Sequence, residues 1–287
     1  MPRRQRTRLD AGCERGHPTL REEWMQSETT RMLVTVAHPD DETFGCGSLL
    51  AHAAAHGVQT MVVCATRGEA GSPAPGTQLD VDLAVVREVE LREAAALLGV
   101  DRVRLLGYTD SGMDGEPAPG TLAAADVEDV TVDLIGIIED FRPHVVVTLD
   151  GSDGHRDHAQ IRDATDFAVR WSRWRTERFY LHCLPQQLMR QWVCELQAKQ
   201  PDAAHLALGE LGTPNADITT VIDTSDLLDV REQAIAIHAS QTSPYEVMGA
   251  ELRREFLATE RLRRIRPEWT GGGVERSLFE PALAVQR

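Results

Sequence analysis

The chain has 287 residues, 42% of them hydrophobic and 5% aromatic, with 45 acidic against 30 basic side chains for a net charge of −15. This length suffices to bury a full α/β core, the acidic balance argues against nucleic acid as a partner, and with no apolar run of about eighteen residues nothing reads as a membrane span. The five cysteines form no C-x-x-C pair, which argues against a cysteine zinc site and fits a reducing, cytoplasmic setting.

The first 28 residues begin with the basic run Arg3-Arg4-Gln5-Arg6-Thr7-Arg8, and no apolar segment of a secretory signal follows. They read as a disordered extension, and residues 29–287 as a single domain. Met32-Leu33-Val34-Thr35-Val36 then reads as a buried strand over about 32–37. A helix near 45–56 follows, opening with Gly45, Cys46 and Gly47. Strand two is expected at about 59–65, a helix near 82–98 with Val85, Val89, Ala96 and Leu97 facing the sheet, and strand three at about 102–106. A helix near 124–140 leads to strand four at about 144–149, and another helix spans about 158–172. Val221 and Ile222 mark a late strand, and about 225–239 a last helix. Residues 242–287 read as helical and irregular C-terminal trim. This βα alternation implies an α/β, Rossmann-like three-layer fold with a mostly parallel sheet.

Two strand ends carry the chemistry. Strand one runs into Ala37-His38-Pro39-Asp40-Asp41-Glu42, and Val145-Val146-Val147-Thr148-Leu149 into Asp150-Gly151-Ser152-Asp153-Gly154-His155-Arg156-Asp157-His158. Ligands of open parallel sheets bind beyond the carboxyl ends of strands, so both loops lie where a site is expected. Catalytic zinc keeps three protein ligands and an open position. His38, Asp41 and His158 would make such a set, leaving Asp40 and His155 free to move protons. A different class of reading is a non-catalytic Rossmann-like module binding a sugar or nucleotide, suggested by Gly45-x-Gly47. No third glycine follows at the dinucleotide spacing, so that fingerprint is incomplete.

The motifs resemble those of the LmbE-like (PIG-L) N-acetylglucosaminyl deacetylases. Ala37 to Glu42 is similar to their Ala-His-Pro-Asp-Asp-Glu block, and Gly154 to His158 to their Gly-His-x-Asp-His block. Thr66 to Gly71, Arg87-x-x-Glu90-Leu91, Asp110-Ser111-Gly112-Met113 and His238-Ala239-Ser240-Gln241 match further blocks in family order. The resemblance implies a zinc amidase, with Fe²⁺ able to take the same ligands, that removes acetyl from a small N-acyl sugar. It implies Asp40 as general base and His155, as a neutral ring or an imidazolium, as oxyanion stabiliser. Asp157, two residues beyond His155, is placed to orient or charge it, and the resemblance implies Arg87 and Asp110 as binders of sugar hydroxyls. Asp153 departs from the mycothiol-pathway members, which carry a tyrosine there, and that leaves the substrate's identity open.

Overall fold

The computed structural model describes residues 29–202 and 209–279. The expected extension over residues 1–28 lies outside the described residues. Among the described residues, seven strands form one sheet in the order β3-β2-β1-β4-β5-β7-β6. In chain order the elements are β1 (Arg31–Val36), α1 (Asp41–Phe44), α2 (Gly47–Ala55), β2 (Gln59–Cys64), α3 (Leu83–Leu97), β3 (Arg102–Leu105) and α4 (Val127–Phe141). Then come β4 (Val145–Leu149), α5 (Arg156–Trp171), β5 (Arg178–His182), α6 (Gln186–Lys199), β6 (Thr220–Asp223), α7 (Leu228–Ile237), α8 (Ala250–Leu257) and β7 (Thr259–Arg266).

β1 lies between β2 and β4 and pairs parallel with both. Helices cover both faces, which is why β1 and β4 are apolar throughout rather than alternating. Met32, Val34 and Val36 join Leu49, Leu91 and Ala234 on one face. Leu33 and Ala37 join Val130, Leu134 and Ile161 on the other. The chain leaves β1 toward β2 and β3, then crosses back to place β4 on β1's opposite edge. The carboxyl ends of β1 and β4 are therefore the topological switch point, where such sheets open a crevice.

Two expectations need correction. On α3 the residues expected at the sheet, Val85, Val89, Ala96 and Leu97, face outward, with Val85 53% exposed. The buried face is Ala84, Arg87, Glu90, Leu91, Ala94 and Ala95. Burying an arginine and a glutamate inverted the apolar pattern on which the periodicity argument relies. The C-terminal segment is not trim either. β7 inserts antiparallel between β5 and β6, and its arginine-rich sequence conceals a buried Glu260 and Leu262. Glu260 is matched by Arg231 at 2.7 Å and by His182 at 2.9 Å, which allows a charged strand to sit inside the sheet.

Candidate metal centre and active site

The loop after β1 turns sharply at Asp40, whose φ of 108° lies in a region costly for a residue with a Cβ. Neighbouring side chains hold it there. Glu42, fully buried, accepts the Asp40 N–H at 3.0 Å. Arg87 donates to Pro39 O at 2.5 Å, to Gly68 O at 2.8 Å and to Asp40 Oδ2 at 3.0 Å. Glu42 is in turn paired with His238 Nε2 at 2.8 Å and accepts from Thr43 Oγ1 at 2.6 Å. The strained turn brings the Asp41 carboxylate back over His38, whose own N–H donates to Asp41 Oδ2 at 2.8 Å.

The loop after β4 meets this turn across the switch point. His38 Nδ1 and Asp41 Oδ2 are 3.4 Å apart, His158 Nε2 and Asp41 Oδ2 3.2 Å, and His158 Nε2 and His38 Nδ1 3.3 Å. Four-coordinate zinc with ligands at about 2.0–2.2 Å spaces neighbouring ligand atoms by about 3.3–3.6 Å. The three donor atoms thus stand close to one triangular face of such a tetrahedron, and their chemistry fits a divalent ion.

Each histidine is backed by a carboxylate on its other nitrogen, the usual means of fixing a metal-ligating imidazole. His38 Nε2 meets Asp157 Oδ2 at 3.1 Å and Asp110 Oδ1 at 3.4 Å. His158 Nδ1 meets Asp153 Oδ2 at 2.5 Å. His38, Asp110 and Asp157 also cluster as donors, but Asp157 already accepts both the Ser111 N–H at 2.9 Å and the Ser111 hydroxyl, and Asp110 the Gly112 N–H at 2.8 Å. That cluster is the support of His38 rather than a second ion site.

The electrostatics agree with a pocket that demands positive charge. Burial lowers the proton affinity of His158, but Asp41 and Asp153 overcome it and lift the ring to about 10. Burial also opposes protonation of His38, and hydrogen bonds to Asp110, Asp157 and Asp41 raise it well above the ordinary value. Burial pushes Asp40 up to about 6, with Arg87 pulling the other way.

Some expected roles change. His155 caps the N-terminus of α5, its Nδ1 accepting the Asp157 N–H at 3.1 Å. Burial, with the charges of His38 and His158, lowers this ring to about 4. A ring lowered in this way is neutral near pH 7, and with Nδ1 accepting the Asp157 N–H its proton sits on Nε2. Asp157 steadies His155 through its backbone N–H; its carboxylate serves His38. Arg87 and Asp110, expected at sugar hydroxyls, are 4% and 7% exposed and direct their charged atoms to Asp40 and His38. Gly45 and Gly47 do not form a phosphate cradle: a Cβ on Gly47 would lie 2.8 Å from Arg231 Cδ, so this glycine admits a buried arginine. Sequence reasoning left the role of Asp153 open and missed Ser111 and Glu42 as supports. Asp153 could have been found by asking which carboxylate near His158 is free to back it.

Residues 33–169 match the family model described as PIG-L, GlcNAc-PI de-N-acetylase. A 1D-myo-inositol 2-acetamido-2-deoxy-alpha-D-glucopyranoside deacetylase of Thermobifida fusca is 34% identical over 239 residues, 74% of this chain and 84% of the relative. The chain belongs to the PIG-L family. Both loops of the candidate centre fall within the matched stretch. Among solved structures, N,N'-diacetylchitobiose deacetylase from Pyrococcus horikoshii superposes with a TM-score of 0.54 at 20% identity, covering 88% of this chain and 94% of that one. The hydratase GalB from Pseudomonas putida KT2440 gives 0.58 at 20% identity, over 85% and 99%. At such identity these two structures speak for the fold alone, and a hydratase among them means that the reaction must be argued from the site.

Proposed function

We propose that this PIG-L protein is a metal-dependent N-deacetylase that hydrolyses the amide of a small N-acylated amino sugar. His38 Nδ1, Asp41 Oδ2 and His158 Nε2 would hold Zn²⁺, or Fe²⁺ in the same place. The observation that carries this reading is the 3.2–3.4 Å triangle of donor atoms, with both imidazoles backed by carboxylates and Asp40 left over in the same cavity.

When bound, the ion polarises the amide carbonyl and acidifies a water. Asp40 is the proton carrier. Burial places its affinity near pH 6, so it is ionised at neutral pH yet basic enough to accept a proton from water and pass it to the departing amine. Arg87 holds that carboxylate directly, while Glu42 holds the Asp40 backbone through its N–H. His155, neutral with its proton on Nε2, donates to the oxygen on which negative charge develops. Asp153 and Asp157 hold the imidazoles of His158 and His38 in register. A non-catalytic sugar- or nucleotide-binding module would need neither a strained, buried Asp40 nor these backing carboxylates.

A cytoplasmic setting belongs to the same reading: the four cysteines among the described residues are all unpaired, and no described helix is long and apolar enough to cross a membrane. The test is acetate release from an N-acetylglucosamine glycoside by metal-loaded protein. Wild type should release acetate and Asp40→Asn should not; absence of release by wild type from any such glycoside would count against the sugar assignment.

A further inference from the structure

Asp41 and His158, two of the three proposed metal ligands, open onto a cavity of about 410 Å³, within the range of small-molecule sites. Asp40, Asp41, Asp153 and His158 line it on the metal side. The far wall is mostly apolar and comes largely from α6, the loop between α7 and α8, and Phe256 of α8, with Phe44 and Leu149 nearer the site. Met189, Trp192, Leu196, Leu211 and Val247 form one buried cluster there, with Phe256 packed against it. Nearly all of this wall lies beyond the 33–169 stretch that matches the family.

The wall is fixed. The Trp192 indole donates to Pro244 O at 3.0 Å, Lys199 Nζ to Val247 O at 2.5 Å, and the Gly249 N–H to Glu195 Oε2 at 2.5 Å. These bonds stitch α6 to the loop that faces it.

The polar groups of the chamber are mostly committed to protein partners. Asp150 accepts from Ser152 and Thr213, Asp153 serves His158, His182 pairs with Glu260, and the Tyr245 hydroxyl donates to Phe44 O. Gln200 and Thr242 are exposed. A ligand hydroxyl placed against Trp192, Leu196 and Leu211 would lose water and gain no partner, a costly exchange. A polyhydroxylated group such as the inositol in the relative's substrate does not suit this wall.

We propose, resting on the deacetylase reading, that this chamber takes an apolar chain of the substrate, so that the enzyme acts on a hydrophobic amide conjugate rather than on a wholly polar sugar. The chain could enter from the acyl side or the aglycone side of the amino sugar; the chemistry is the same.

Two homologous series on zinc-loaded protein separate these sources: N-acyl glucosamines from acetyl to octanoyl, and alkyl β-glycosides of N-acetylglucosamine from methyl to octyl. kcat/KM should climb about fourfold per added methylene over the first several carbons in one series. A rise with acyl length assigns the chamber to the acyl group, and a rise with glycoside length to the aglycone. Leu196→Asn and, as the milder change, Met189→Gln should flatten whichever slope is seen. Flat slopes in both series, with acetate still released, would overturn the chamber assignment and leave the deacetylase intact. Total inactivity on every substrate would instead sink the deacetylase reading. The chamber is then read by calorimetry: octyl β-glucoside should bind at least a hundredfold more tightly than methyl β-glucoside, and equal affinities would overturn the proposal.

Discussion

Arg87→Ala separates two accounts of that residue. The resemblance places Arg87 on the sugar; the geometry places it on Asp40, the proposed general base. Its guanidinium is 4% exposed and donates to Pro39 O, Gly68 O and Asp40 Oδ2. Removing one partner of a buried ion pair costs about 3–5 kcal/mol. At about 2–4 °C per kcal/mol for a domain of this size class, Tm should fall on the order of 10 °C. The catalytic effect has a sign that can be worked out. Arg87 holds down a proton affinity that burial raises, the net value being about 6. Without it Asp40 is protonated to higher pH, so kcat near pH 7 should drop and recover in part as pH rises. Loss of its anchor also lets the carboxylate move, and an ångström of misplacement costs roughly a hundredfold. The assay is kcat/KM for metal-loaded Arg87→Ala on an N-acetylglucosamine glycoside and on a minimal acetamide lacking hydroxyls. The geometry requires comparable losses on both. A loss confined to the glycoside would refute the positioning argument and return Arg87 to the sugar.

Other perturbations probe separate parts of the site. Asp40→Asn should retain metal and fold while kcat falls about 10²–10⁴-fold; near-normal turnover of the metal-loaded variant would remove Asp40 as the base. Asp153→Ala deprives His158 of its 2.5 Å partner and should weaken zinc binding roughly 10–100-fold in a chelator competition, and unchanged affinity would show that the contact is incidental. His238→Gln tests the buried pair with Glu42. Burial lowers the His238 proton affinity but Glu42 more than restores it, leaving it raised. Its stabilising contribution is therefore complete below about pH 6.5 and is lost as pH rises through the elevated folded value. Urea melts should show a larger penalty for His238→Gln at about pH 6 than at about pH 10, and a pH-independent penalty would mean the ring is buried neutral.

Much of the catalytic end was legible because it sits on the most regular part of the fold. β1 and β4 carry runs of β-prone, mostly apolar residues, their following loops carry the histidines and aspartates, and strand alternation places both loops at carboxyl ends of strands, while only the strand order puts β4 beside β1 at the switch point. The remainder depended on facts that linear patterns do not carry. Arg87 and Glu90 occupy the buried face of α3, where periodicity expects apolar residues, and Val85 and Val89 lie on its exposed face instead. β7 is written in arginines, and only the Glu260–Arg231–His182 contacts show why it can lie inside a sheet. The role of Asp157 was misjudged because spacing places it near His155, while the start of α5 turns its carboxylate toward His38. The apolar chamber was invisible for a different reason. Its wall joins α6 to residues 242–257, segments distant in sequence and ordinary in composition.

The most direct test of the central claim is a zinc titration of chelator-stripped protein, following acetate release from an N-acetylglucosamine glycoside. Activity should be absent at the start, rise linearly and break at about one equivalent; His158→Ala should show no such break because the triangle of donors at 3.2–3.4 Å has lost a corner. Full activity in the stripped wild type, or an unchanged one-equivalent break in His158→Ala, would contradict the account.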